Sequence, residues 1–161
     1  MKATEMPVVH YAVERIPNPS PGGLPWQVYQ SVRNAVVRAC REFGPTGPMG
    51  ECPIVVGPEQ PYGLRDWPRG DDPCVFYIIG DQYNDERYIY MEVEPTAPVS
   101  AEWLARLVAV LRDHPGWGIG INNVREGYLL LFADRIMVTG PAFAGCRDAG
   151  AVLQSLRASL Y

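Results

Sequence analysis

The amino-acid sequence predicts an α+β fold: a single domain in which a mainly antiparallel sheet of about five strands packs against three principal helices. Hydrophobic residues make up 47% and charged residues 20% of the 161 positions, which is ordinary for a globular protein. Three segments repeat apolar residues at the three- and four-residue spacing of amphipathic helices. Between them, short apolar or alternating segments are joined by turn residues, which favours an antiparallel sheet covered by helices.

The three helices have clear boundaries in the sequence. The first is predicted over residues 25–43, and Cys40 falls on its apolar stripe. The second begins at its N-cap Ser100 and ends before Pro115, and the third begins near Asp148. The apolar positions predicted to be buried together come from the helices and the last strands: Leu104, Leu107, Val108, Leu111, Leu129, Leu131, Val138, Leu153 and Leu156.

The strands are predicted from apolar runs and from strict alternation. Residues 75–79 and 88–94 flank the polar segment 80–86 and are predicted to pair as an antiparallel hairpin. The glycines of 116–120 indicate a strand that a neighbour approaches closely. The remaining predicted strands are short or follow the second helix: 8–13, 54–56, 118–121, 128–132 and 135–139.

Two segments of the predicted domain 1–161 have little regular structure. Residues 1–24 are predicted to be an extended lead-in, and residues 44–73 a Pro/Gly-rich excursion. A loop of that length in a compact domain is either functional or packed down by its own aromatic side chains, here Tyr62 and Trp67. The sequence leaves both alternatives open.

The order of the predicted elements is helix, two strands, helix, three strands, helix. Over about residues 25–161 this order is similar to that of the roadblock and longin group of small scaffold folds. No sequence motif accompanies the resemblance, which implies a scaffold fold and, as an expectation of function, a roadblock-like regulatory scaffold.

Charge and composition exclude several classes of function. The net charge of −4 argues against nucleic-acid binding, which needs clustered basic residues to neutralise phosphates. No apolar stretch approaches the roughly 18 residues that cross a bilayer, and residues 1–5 are not followed by the apolar segment of a secretory signal. We therefore expect a cytoplasmic protein without membrane contact, whose four cysteines are thiols and which uses no cofactor.

Chemistry-bearing residues are few. Cys146 precedes the third helix, where the helix dipole favours a thiolate, and His114 is the candidate base for a small thiol-dependent enzyme. The alternative is a cysteine in an ordinary connection and a histidine at a helix C-terminus. The acidic segment 81–86 lacks the ligand spacing of a calcium loop and is read as a solvated turn, so no metal site is predicted.

The strongest functional signal is one face of the predicted strand 88–94. Alternation directs Ile89, Met91 and Val93 inward and places tyrosines and glutamates on the other face. Aromatic side chains supply anchor area at an interface and acidic ones steer a basic partner toward it. The predicted partner-binding residues come from this face, the turn before it and the excursion: Tyr83, Asp85, Glu86, Tyr88, Tyr90, Glu92, Glu94, Asp66 and Trp67, near Asp71 and Asp72.

These observations favour a binding protein over an enzyme. The most concrete hypothesis is a bacterial immunity-type antidote that occludes a basic toxin or nuclease. The alternatives are the thiol-dependent enzyme built on Cys146 and His114 and the roadblock-like scaffold, with a homodimer as a further option. If a helix of the chain itself covers the tyrosines, the surface instead belongs to the core.

Overall fold

Three α-helices and a mixed six-stranded sheet form most of the described chain. The computed structural model describes residues 5–10, 24–57, 73–76, 88–89, 91–114, 118–121 and 123–161. The helices are α1 Trp26–Phe43, α2 Ala101–Arg112 and α3 Ala149–Ala158, with a short 3₁₀ helix at Pro141–Phe143. The strands are β1 Val8–His10, β2 Leu24–Pro25, β3 Ile54–Gly57, β4 Pro73–Phe76, β5 Tyr88–Ile89, β6 Glu92–Pro95, β7 Gly118–Ile121, β8 Tyr128–Phe132 and β9 Ile136–Thr139.

The main sheet has the strand order β1-β9-β8-β7-β6-β3. Strands β7, β8 and β9 form an antiparallel meander, and β3 pairs antiparallel with β6. Two pairings are parallel, β6 with β7 and β1 with β9. Parallel neighbours need a long crossover, and α2 supplies it between β6 and β7. Strands β2, β4 and β5 form a separate small sheet.

The predicted α+β class with three helices is confirmed, whereas the sheet has six strands and is mixed. The predicted hairpin between residues 75–79 and 88–94 is wrong for the described residues, since β4 pairs in parallel with β5. The segment 88–94 is also divided between two sheets, with β5 in the small one and β6 in the main one. The antiparallel position beside β6 is occupied by β3, so β4 cannot take it.

The helix boundaries follow from local hydrogen bonds. The Ser100 hydroxyl accepts a hydrogen bond from Trp103 N at 3.1 Å, and the Asp148 carboxylate accepts one from Ala151 N at 2.8 Å. Each cap satisfies an amide that the first turn of the helix leaves without a partner. At the end of α1, Gly44 N donates to the Cys40 carbonyl at 2.9 Å. A Cβ on Gly44 would lie 2.3 Å from that same oxygen, so only glycine fits there.

The nine apolar residues predicted to be buried together all lie in one core cluster, and so does Cys40. The cluster also contains Trp103 and Phe143, which are the largest fully buried side chains. Both faces of β8 are covered, because its residues 129–132 are all buried. In β6, by contrast, Val93 is buried while Glu92 and Glu94 are half-buried. No helix in the described ranges has the length and apolar character needed to cross a membrane.

Candidate functional site

The structure describes only part of the predicted partner-binding surface. Tyr83, Asp85, Glu86, Tyr90, Asp66 and Trp67 lie outside the described residues, and so do Asp71 and Asp72. Tyr88 belongs to β5 in the small sheet, whereas Glu92 and Glu94 belong to β6 in the main sheet. The inward direction predicted for Met91 and Val93 is confirmed, since both are fully buried.

The two glutamates lie beside an exposed apolar side chain. Val55 on β3 pairs directly with Glu94 on β6, and Gly57 pairs with Glu92. Directly paired residues share a face of the sheet, so Val55 lies on the same face as both carboxylates. The exposed fraction of Val55 is 59%, although strand neighbours Ile54 and Val56 are buried. We call Val55, Glu92 and Glu94 together the β3–β6 face.

A groove runs between α1 and β3 on the outer side of the sheet. It has a volume of about 370 Å³ and is lined by Arg33, Val37, Cys40, Arg41, Cys52, Ile54, Val55 and Val56. The four lining residues of α1 are spaced by four, three and one positions, which places them on a single face of the helix. Of the described residues that line this α1–β3 groove, two are arginines and none is a carboxylate.

The strand that forms one wall of the groove is an edge of the main sheet. Thr96 N donates to the Pro53 carbonyl at 2.8 Å, which directs the main-chain groups of residue 53, and of alternate residues 55 and 57, toward β6. The main-chain N–H and C=O of Ile54 and Val56 therefore point away from β6. Among the described residues one of these four groups is hydrogen-bonded: the Val56 carbonyl accepts from Arg33 Nη2 at 2.9 Å.

Two thiols line the same groove. The Cys52 thiol donates to the Cys40 carbonyl at 3.6 Å, and Cys40 Sγ accepts a hydrogen bond from Trp103 Nε1 at 3.4 Å. Burial raises the pKa of the Cys40 thiol to about 11, against an opposing effect of the Trp103 hydrogen bond. The charge of a Cys52 thiolate raises the same pKa further. Cys40 is thus a protonated core thiol at neutral pH, whereas Cys52 is half-buried.

Cys146 and His114, the candidate pair of the thiol-enzyme alternative, are not joined by a hydrogen bond in the described structure. Cys146 is 5% exposed, and its Sγ lies 3.3 Å from the Ser155 hydroxyl. A different histidine contacts the main chain of this residue: His10 Nε2 donates a hydrogen bond to the Cys146 carbonyl at 2.7 Å. That contact ties β1 to the segment before α3 and leaves the thiol itself uninvolved.

Within the described ranges, no three histidine, cysteine or acidic side chains come together as a metal site would require. The comparisons with known proteins add no assignment: no family model, no curated protein and no solved structure matches the chain. The resemblance to the roadblock and longin group therefore stays an expectation from element order.

The sequence interpretation missed the α1–β3 groove. One of its walls is visible in the sequence, because Arg33, Val37 and Arg41 recur at four-residue spacing along α1. The other wall is not, since Cys52 and strand β3 are placed against α1 only by the pairing of β3 with β6. Neither half alone has the form of a site.

Proposed function

We propose that the chain is a small protein-binding module that captures a basic partner through the β3–β6 face. The observation that carries the proposal is the exposed Val55, which lies directly beside Glu94 at the edge of the sheet. An apolar side chain flanked by carboxylates combines desolvated contact area with charges that steer a cationic protein. The net charge of −4 acts in the same direction at longer range.

We propose that the other residues predicted for partner binding also contact the basic partner. Tyr83, Tyr88 and Tyr90 would supply anchors, and Asp66, Trp67, Asp85 and Glu86 would supply a mixed rim. In its most concrete form the proposal is an immunity-type antidote, in which the anionic surface covers the basic active surface of a toxin or nuclease. The capture of a basic partner is the part that experiment can test first.

The thiol-enzyme alternative has less support. Its nucleophile Cys146 is buried and its base His114 makes no hydrogen bond to it in the described structure. A catalytic cysteine needs an accessible thiolate next to a base. Binding therefore accounts for more of what the described residues present.

The test compares two variants with the same change of net charge. Glu94→Lys alters the β3–β6 face, and Asp134→Lys alters an exposed residue between β8 and β9. Each variant and the parent chain are immobilised and exposed to extract of the organism that encodes the chain. We expect a basic protein that the parent and Asp134→Lys retain and that Glu94→Lys retains at least tenfold less.

Rising salt should release that protein, because steering charges near a surface are screened within about 10 Å at 0.1 M. Melting temperatures of the three chains should agree, which would show that the loss of binding is not a loss of fold. If the same proteins are retained by all three chains, the β3–β6 face is not the interface. For the antidote form, one equivalent of the parent chain should abolish the activity of the captured protein.

A further inference from the structure

We propose that the α1–β3 groove is a second binding site, which accepts an extended acidic peptide segment as an additional strand beside β3. This site shares Val55 with the β3–β6 face but differs from it in sign of charge. It does not depend on the capture of a basic partner, since its charged lining residues, Arg33 and Arg41, are on α1 and are not part of that face.

Strand β3 pairs with β6 on one side, and no described strand pairs with its other edge. The N–H and C=O of Ile54 and the N–H of Val56 point away from β6, and no described residue forms a hydrogen bond with them. An edge strand with such groups is a template for another strand, and strand addition is a common mode of peptide recognition. The four residues of β3 span about 13 Å, the length of a short extended peptide.

Helix α1 forms the wall of the groove that faces β3. A strand added to β3 would lie about 4.8 Å from it, in the space between β3 and the helix. That space is the groove, whose apolar surface comes from Val37, Ile54 and the two cysteines. A peptide there would have main-chain partners on one side and a helix face for its side chains on the other. Arg33, bonded to the Val56 carbonyl, marks one end of this site.

The positive charge of the groove indicates which kind of peptide it would bind. Two guanidiniums line the groove, and the described lining residues include no carboxylate. Arg38 and Arg41 are exposed on the same helix. The exposed Arg41 guanidinium can pair with a carboxylate through parallel hydrogen bonds, so a glutamate or aspartate side chain fits this wall. A second copy of the chain would bring the same arginines against each other, which disfavours self-association through this edge.

The test uses two synthetic peptides of six residues with blocked ends and a fluorescent label. One alternates glutamate and valine, and the matched control alternates lysine and valine. Fluorescence anisotropy with the full chain should show at least tenfold tighter binding of the glutamate peptide. Arg41→Glu should remove that preference, whereas Arg147→Glu, an exposed arginine before α3 with the same change of charge, should retain it.

Strand addition is distinguished from loose electrostatic contact by changing the peptide main chain alone. Only alternate N–H groups of an added strand face β3, so N-methylation of one alternate set should weaken binding at least tenfold and methylation of the other set should not. Bound peptide should also slow the alkylation of the half-buried Cys52 by iodoacetamide. Equal binding of the two peptides would overturn the proposal, and so would equal tolerance of both methylation patterns.

The two sites can fail independently. Glu94→Lys should leave binding of the glutamate peptide intact, and Arg41→Glu should leave capture of the basic partner intact. If either of these charge substitutions removes both activities, the two surfaces are one interface, and that result would overturn the second site.

Discussion

Strands β8 and β6 belong to the same sheet, one on each side of β7, but they differ in what covers them. Residues 129–132 of β8 are buried on both faces, whereas β6 alternates buried and half-buried residues. At the end of the sheet, β3 carries the exposed Val55 between two buried neighbours. Side chains on both faces of β8 are therefore buried in the core, whereas at the β3 end of the sheet one face is buried and the other is accessible.

The difference in burial between the two strands matches a difference in their sequence patterns. The run Leu129–Phe132 is continuously apolar, as expected of a strand covered on both faces, and Glu92–Pro95 alternates. Glu92 and Glu94 are half-buried at the β3 end, so part of each side chain stays accessible from outside. Both candidate binding surfaces lie at this end of the molecule.

The largest difference between the two regions should appear on truncation to alanine. Leu131→Ala removes a side chain that is 0% exposed and should lower the free energy of unfolding by about 2–5 kcal/mol through lost burial and the remaining cavity. Val55→Ala removes one that is 59% exposed and should lower it by at most about 1 kcal/mol. Urea denaturation of both variants measures the contrast, and similar losses would mean that Val55 is covered in solution.

The next largest effect is a pH dependence of stability that arises from the Cys40 thiol, which lines the groove. The pKa of Cys40 is about 11 in the folded chain against 9.0 in its ordinary state, so the unfolded chain loses this proton first as pH rises. The resulting stabilisation is fully present below pH 9 and is lost between about pH 9 and 11. A difference of two pKa units corresponds to about 3 kcal/mol.

Denaturation between pH 8 and 11 measures this effect, with Cys40→Ala as the control. The variant should be less stable at pH 8, because it leaves a cavity, but should lose less stability than the parent as pH rises. Parallel slopes for the parent and the variant would show that Cys40 titrates in the folded chain as it does in the unfolded one.

The smallest expected effect is the difference in stability between alanine substitutions at the two glycines of β7, Gly118 and Gly120. A Cβ on Gly118 would lie 2.5 Å from the ring of Phe132, which is 4% exposed and has the Arg135 guanidinium 4.3 Å from its centroid. Gly118→Ala should therefore lower the free energy of unfolding by about 1–3 kcal/mol. A Cβ on Gly120 meets its nearest atom at 3.7 Å, so Gly120→Ala should be neutral or slightly stabilising when both variants are unfolded with urea. If both substitutions are neutral, the ring of Phe132 is free to move.

Much of the fold could be predicted because its signals are local. Helix spacing, the caps Ser100 and Asp148 and the apolar stripes act over a few residues. All three helices begin within about a residue of the predicted positions, and α1 ends at the predicted residue. The nine predicted core residues are buried for the same reason, since each stripe must face the sheet. The glycines of β7 indicated close approach, and Phe132 makes that approach at Gly118.

Strand pairing could not be predicted in the same way, because it depends on contacts between distant segments. Adjacency along the chain favoured a hairpin between residues 75–79 and 88–94, but β6 pairs with β3, nearly forty residues earlier, and with β7 across α2. That long-range choice also assembled the α1–β3 groove. It placed Val55 beside Glu94 and brought Cys52 to Cys40, pairs that no local pattern connects.

The sequence by itself determined which residues form helices, which apolar side chains are buried and that the chain carries a net negative charge. These properties follow from spacing and composition, which the chain carries with it whatever its partners in the fold. Only the tertiary structure decided which strands became the edges, because strand pairing joins segments that are distant in the sequence. In the described sheet β1 and β3 each have a single strand neighbour, and at β3 the main-chain groups of Ile54 and Val56 turn outward.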